Sequence, residues 1–150
     1  MSAANASSTA VALGSARLAD REFVLAFEKG TLPAEMFHHA DHIRLAWLYL
    51  REHNYEAAER RFCDGLVKLA ARFGVPEKFH RTLTVAWLRA VHVRITADGE
   101  TSFEAWLASH PALLDRNFLL RHYSKQRLES PEARLGWLEP DRKALRESTG

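Results

Sequence analysis

The sequence predicts an all-α protein, a single-domain helical bundle of about five to seven helices. Three observations carry that expectation. Every long segment repeats its apolar residues at helical spacing, and none alternates as a half-buried strand would. Helix start and stop signals bracket those segments, among them Asp20, Asn54 and Ser130-Pro131 at starts and Gly30 and Gly74 at ends. The 150 residues, 47% hydrophobic and 27% charged, suit one domain with a real core.

The elements follow in order. Residues 1–18 are rich in Ala and Ser and read as a disordered lead-in, which leaves 19–150 as the helical domain. Asp20 is placed to cap a first helix that carries Phe23, Val24 and Phe27 and stops at Gly30. A second helix runs from near His38 to His53. Asn54 caps a third, with Ala58, Phe62, Leu66, Leu69, Ala70 and Phe73 on one stripe, and Gly74 and Pro76 end it. The fourth, from near Phe79 to about Ile95, is apolar nearly all round and reads as central. After a turn at Ala97-Asp98-Gly99-Glu100, Thr101-x-x-Glu104 is a capping box for a short helix carrying Phe103, Trp106 and Leu107. His110-Pro111 starts a further helix reaching about Tyr123, and Ser130-Pro131 starts a last short one.

Composition narrows the function. A net charge of +2, with arginines scattered among acids, argues against nucleic acid as partner. No run approaches the roughly 20 apolar residues of a membrane helix. The lead-in has no basic residue before Arg17 and so lacks the charged start of a signal peptide. The single cysteine, Cys63, excludes an internal disulfide, fits a reducing cytoplasm, and reads as a small buried hydrophobe. A homodimer is the expectation from the frequency of two-fold assemblies.

The residues that stand out are histidines. His38, His39 and His42 head the second helix, and helical spacing aligns His39 and His42 with Ala46 and Leu50, beside Ile43 and Trp47. Asp41 and Arg44 fall mainly on another side, where water can solvate them. His80, with Thr84 and Trp87 on its stripe, opens the fourth helix and also points inward. Glu28 ends the first helix, where negative charge is disfavoured and a compensating cation is invited. If the starts of the second and fourth helices meet, His39, His42, His80 and Glu28 form a ligand set suited to a divalent transition metal. Thr84, His38 and Trp87 would then line the ligand side. Neutral histidines hydrogen-bonded at the edge of a core are the competing explanation, since H-x-x-H alone is a weak motif and lacks the glutamate of the zinc proteases.

The stretches Glu28-Lys29-Gly30-Thr31-Leu32, Phe37-x-His39-x-x-His42-Ile43 and Phe79-His80-x-Thr82-Leu83-Thr84-x-x-Trp87, with Tyr123-Ser124 and Ala133-Arg134-x-x-Trp137-x-x-Pro140-Asp141, resemble a family of small bacterial all-helical proteins of unassigned function. The likeness spans roughly residues 22 to 145. Relative to that pattern the chain keeps Glu28, His39, His42 and His80, but has His38 where members have threonine and Arg81 where they have glutamate. The resemblance implies a shared site and no particular reaction. Three readings stand: a metal-binding protein or small hydrolytic or oxidative metalloenzyme acting on a small molecule, a metal-free small-molecule-binding protein, and a helical protein-interaction module.

Overall fold

The computed structural model describes residues 18–96, 99 and 102–145, and among them it is all-helical. Seven α-helices are present among these residues: α1 (Asp20–Lys29), α2 (His39–Glu52), α3 (Tyr55–Arg72), α4 (Arg81–His92), α5 (Phe103–Ala108), α6 (Lys125–Leu128) and α7 (Pro131–Leu135). Short 3-10 turns lie at Ala34–Met36, Pro76–Lys78, Pro111–Leu114 and Phe118–Arg121. Apart from Leu18, the lead-in expected over 1–18 lies outside the described residues. So do Ala97, Asp98, Glu100 and Thr101 of the expected turn and capping box.

The caps explain most boundaries. Asn54 accepts the Ala57 amide at 2.8 Å, and Ser102, Ser124 and Ser130 each accept an amide three residues on. Gly30 ends α1 at φ 76°, in the left-handed region where a side chain would be strained. Two starts differ from expectation. Ala19, not Asp20, holds the cap position of α1, which frees the Asp20 carboxylate for a partner on α2. His80 is itself the cap of α4, its Nδ1 accepting the Leu83 amide at 3.1 Å, so the helix starts at Arg81.

The helix expected from His110 to Tyr123 is two 3-10 turns instead. Asp115 takes the Asn117 amide at 2.9 Å, a local bond that competes with helix continuation. Helix α6 has no counterpart among the elements expected from the sequence. It is a single turn that exists because Ser124 caps it and Asp141 grips Ser124 through both its amide and its hydroxyl.

Helices α2 and α4 share the centre. From Ala40 to Tyr49 every residue of α2 except His42 is buried, and α1, α3, α4, α5 and the 111–114 turn all pack on it. Helix α4 buries Thr82, Val85, Ala86, Leu88, Ala90 and Val91, so it is more one-sided than its composition suggested. Asp41 and Arg44, expected in water, are 0% and 3% exposed. Arg44 is held by Asp20 at 2.8 Å and the Leu18 carbonyl at 2.7 Å, with its guanidinium 4.6 Å from the Phe23 ring centre. Asp41 accepts the His38 amide at 2.7 Å. Periodicity places these two correctly on the far side of α2; it does not show that α1 covers that side. Cys63 is buried, as its composition suggested.

Helix α1 reaches α3 through a close approach. A Cβ built at Gly65 would overlap the Phe27 ring, so the ring lies directly on the α3 backbone. Gly65→Ala should therefore destabilise the protein by about 1–3 kcal/mol, although alanine is the better helix former by about 1 kcal/mol. Urea denaturation checks this, and a midpoint equal to or above that of the parent protein would show that Phe27 moves aside freely.

Candidate functional site

Each conspicuous histidine is tied to a backbone carbonyl. His39, the first residue of α2, bonds the Leu113 carbonyl through Nε2 at 2.9 Å. His42 bonds the His38 carbonyl through Nδ1 at 3.0 Å. A carbonyl only accepts, so each of those nitrogens carries the proton, and the neutral ring keeps one lone pair on its other nitrogen. His80 differs. Its Nε2 donates to the Leu128 carbonyl at 2.7 Å while its Nδ1 accepts the Leu83 amide, so in this arrangement it has no lone pair left for a metal.

The meeting of helix starts that a joint site required does not occur. His39 stands edge-on to Trp87, with ring centres 4.6 Å apart, and Trp87 lies two turns beyond His80. The start of α2 thus faces the middle of α4, while His80 serves the 125–128 segment. Among the described residues no three His, Cys, Asp or Glu side chains gather as a metal-ligand group. The ligand-side residues are also engaged elsewhere. Thr84 donates back to the His80 carbonyl at 2.7 Å, Trp87 packs between His39 and Phe118, and His38 is exposed at the start of α2.

Glu28 is placed otherwise, and its partners resolve the oddity of a carboxylate at a helix C-terminus. Its Oε2 accepts the Tyr49 hydroxyl at 2.6 Å and lies 3.8 Å from Arg61. Tyr49 is buried in α2, and burial together with the Glu28 charge pushes its phenol well above the usual range. The phenol therefore keeps its proton and serves as a fixed donor.

This pair forms one wall of an open cleft of about 520 Å³ between the end of α1 and the outer face of α3. Phe27, Gly65 and Leu69 supply apolar surface, and Lys29, Arg60, Arg61, Asp64, Lys68 and Arg72 supply charge. A second hollow is lined in part by Ser124, Ser130 and Asp141, which are already engaged in capping α6 and α7. Sequence reasoning reaches Glu28 and misses the rest of the cleft. The signal is present: positions 61, 65, 68, 69 and 72 share one face of α3, with a glycine between cations. It is masked because the adjoining apolar face, which shares Leu69, explains the helix by itself.

Thr82 has a larger part than its sequence position suggests. Fully buried, it donates to the Gly136 carbonyl at 2.7 Å and accepts the Leu138 amide at 3.0 Å, fastening the C-terminal segment onto α4.

Burial lowers the pKa values of His39, His42 and His80, and that of His42 falls to about 4. A group whose folded pKa is depressed below its unfolded value of 6.5 contributes stability that is complete above 6.5 and is lost as pH falls through the folded value. His42, half-buried at the start of α2, should contribute part of that loss. Urea midpoints measured from neutral pH down to the range of the folded pKa should fall, and His42→Gln should flatten part of that fall. An unchanged slope in the variant would show that the imidazole is not desolvated.

No family model, no curated protein and no solved structure matches this chain, so the cleft and the histidines stand on their own geometry.

Proposed function

We propose that this protein binds a polar small molecule, without a metal, in the cleft beside Glu28. The observation that carries the proposal is the Tyr49–Glu28 pair. A buried phenol holds a carboxylate in one position on the wall of a cleft whose volume falls in the range of small-molecule sites. A carboxylate fixed in advance recognises a donor on a ligand at little entropic cost. The metal-free form of the reading is supported by the way the charge of Glu28 is met, by a hydroxyl and a guanidinium, and by the full occupation of both His80 nitrogens. The exposed large apolar residues, Leu25, Val67, Leu114 and Leu135, come from four different elements, which gives little support to an interaction module.

A second reading has one specific observation behind it. His39 and His42 each donate one ring N–H to a backbone carbonyl, the arrangement that orients imidazoles toward metals. Two imidazoles without a third protein donor hold a divalent ion weakly.

Two measurements test the choice. A mixture of polar metabolites added to isotope-labelled protein should shift the amide resonances of Phe27, Tyr49, Gly65 and Leu69, and Tyr49→Phe should weaken the binding by about tenfold, the loss of one charged hydrogen bond. Elemental analysis of untagged protein should find no stoichiometric metal. Shifts centred on His39, Leu113 and Trp87, or one equivalent of metal that disappears in His39→Ala, would overturn the proposal in favour of the histidine site.

A further inference from the structure

The charge of the cleft defines what class of molecule it takes, and this inference rests on the cleft being the binding site. Its lining holds five cations (Lys29, Arg60, Arg61, Lys68 and Arg72) against two carboxylates, Glu28 and Asp64. That excess of three exceeds the +2 of the whole chain, so the positive charge of the molecule is concentrated here.

The five cations are not equivalent. Arg72 is a structural tie that donates to the Leu32 carbonyl at 2.6 Å and lies over the Phe73 ring at 4.6 Å, binding the α1–α2 connection to α3. Arg61 stands 3.8 Å from Glu28. Lys29, Arg60 and Lys68 make no ion pair among the described residues. Arg60, Arg61 and Lys68 all line the cleft from α3, with Asp64 one turn from each of them, so three cations face one carboxylate there. An anion there relieves mutual repulsion and gains charge-assisted hydrogen bonds. Arginine forks match the oxygens of a phosphate, and a dianion answers several cations better than a single carboxylate does.

Glu28 imposes the complementary requirement. Tyr49 holds it as a fixed acceptor at the α1 wall, where it repels a second anionic group and accepts from a hydroxyl or amine. The apolar surface of Phe27, Gly65 and Leu69 lies within the same cleft. The ligand is thus anionic at one end and a hydrogen-bond donor at the other, with a body between. We propose that the cleft binds a small phosphorylated molecule, its phosphate on Arg60 and Lys68 and its hydroxyl or amino group on Glu28, whose charge Arg61 already partners.

Calorimetric titration of the full chain tests this with four probes: ribose 5-phosphate, inorganic phosphate, ribose, and phosphatidylcholine vesicles doped with phosphatidic acid. The sugar phosphate should bind about tenfold more tightly than inorganic phosphate, and ribose should not bind measurably. Added salt and the double substitution Arg60→Gln, Lys68→Gln should each weaken the sugar phosphate by about tenfold or more. Glu28→Gln should erase the advantage of the sugar phosphate over inorganic phosphate while leaving inorganic phosphate as tightly bound or more so. That pattern is not one a folding defect produces.

Failure to bind either soluble phosphate overturns the inference. Ribose binding as well as its phosphate overturns it too but leaves the cleft in place as a site. Binding to the vesicles alone moves the phosphate onto a lipid headgroup and removes the small-molecule ligand. Binding that shifts resonances away from Phe27, Tyr49, Gly65 and Leu69 removes the cleft itself, and with it the reading on which the inference rests.

Discussion

Helix α2 is buried nearly all round while carrying Asp41, Arg44 and Tyr49, polar groups that cannot be left unsatisfied there. Much of the architecture answers that constraint. Arg44 takes Asp20 and the Leu18 carbonyl, which fastens the first turn of α1. Tyr49 takes Glu28, which fastens the last. The two contacts lie on opposite ends of one ten-residue helix, so α1 has one orientation on α2 that satisfies both. A buried charge left without its partner is costly, and this makes the pairing a determinant of geometry more than a source of net stability.

The cleft is a consequence of that orientation. With α1 held at both ends, Phe27 comes down on α3, and only a glycine at position 65 admits the ring. The contact is close at Gly65 and opens toward the charged face of α3, where the long side chains of Arg60, Arg61 and Lys68 extend into water. Arg72 then ties the connection after α1 to the far end of the same helix through the Leu32 carbonyl. The cleft is therefore lined by groups with a structural role (Phe27, Tyr49, Arg72) and by exposed cations of α1 and α3 (Lys29, Arg60, Lys68).

The histidines play a different part. His39 fastens the 111–114 turn to the start of α2, His80 fastens the 125–128 segment to the start of α4, and His122, buried, fastens the Lys143 carbonyl. The short, weakly helical segment 111–145 hangs on such side-chain-to-carbonyl bonds, together with Thr82 on Gly136 and Tyr123 on Leu138. Neutral imidazole suits this use, because it donates without bringing a charge into the core. At His39 and His80 the same property makes the arrangement sensitive to acid, since protonation converts a well-placed donor into a desolvated cation.

The sequence by itself determined the helical class, the presence and approximate course of α1 to α4, the burial of Cys63 and the anomaly at Glu28. These are local matters: apolar spacing, capping residues and the preference of a helix end for one sign of charge act within a turn or two of chain. Only the tertiary structure decided what each inward polar group meets. His39 finds Leu113, His80 finds Leu128 and Thr82 finds Gly136, partners separated by 74, 48 and 54 positions. Periodicity reports which face of a helix turns inward and is silent on which helix lies against it. For that reason two inward stripes of histidine looked like one site, and the solvated face of α3 looked like scattered charge until α1 was laid beside it.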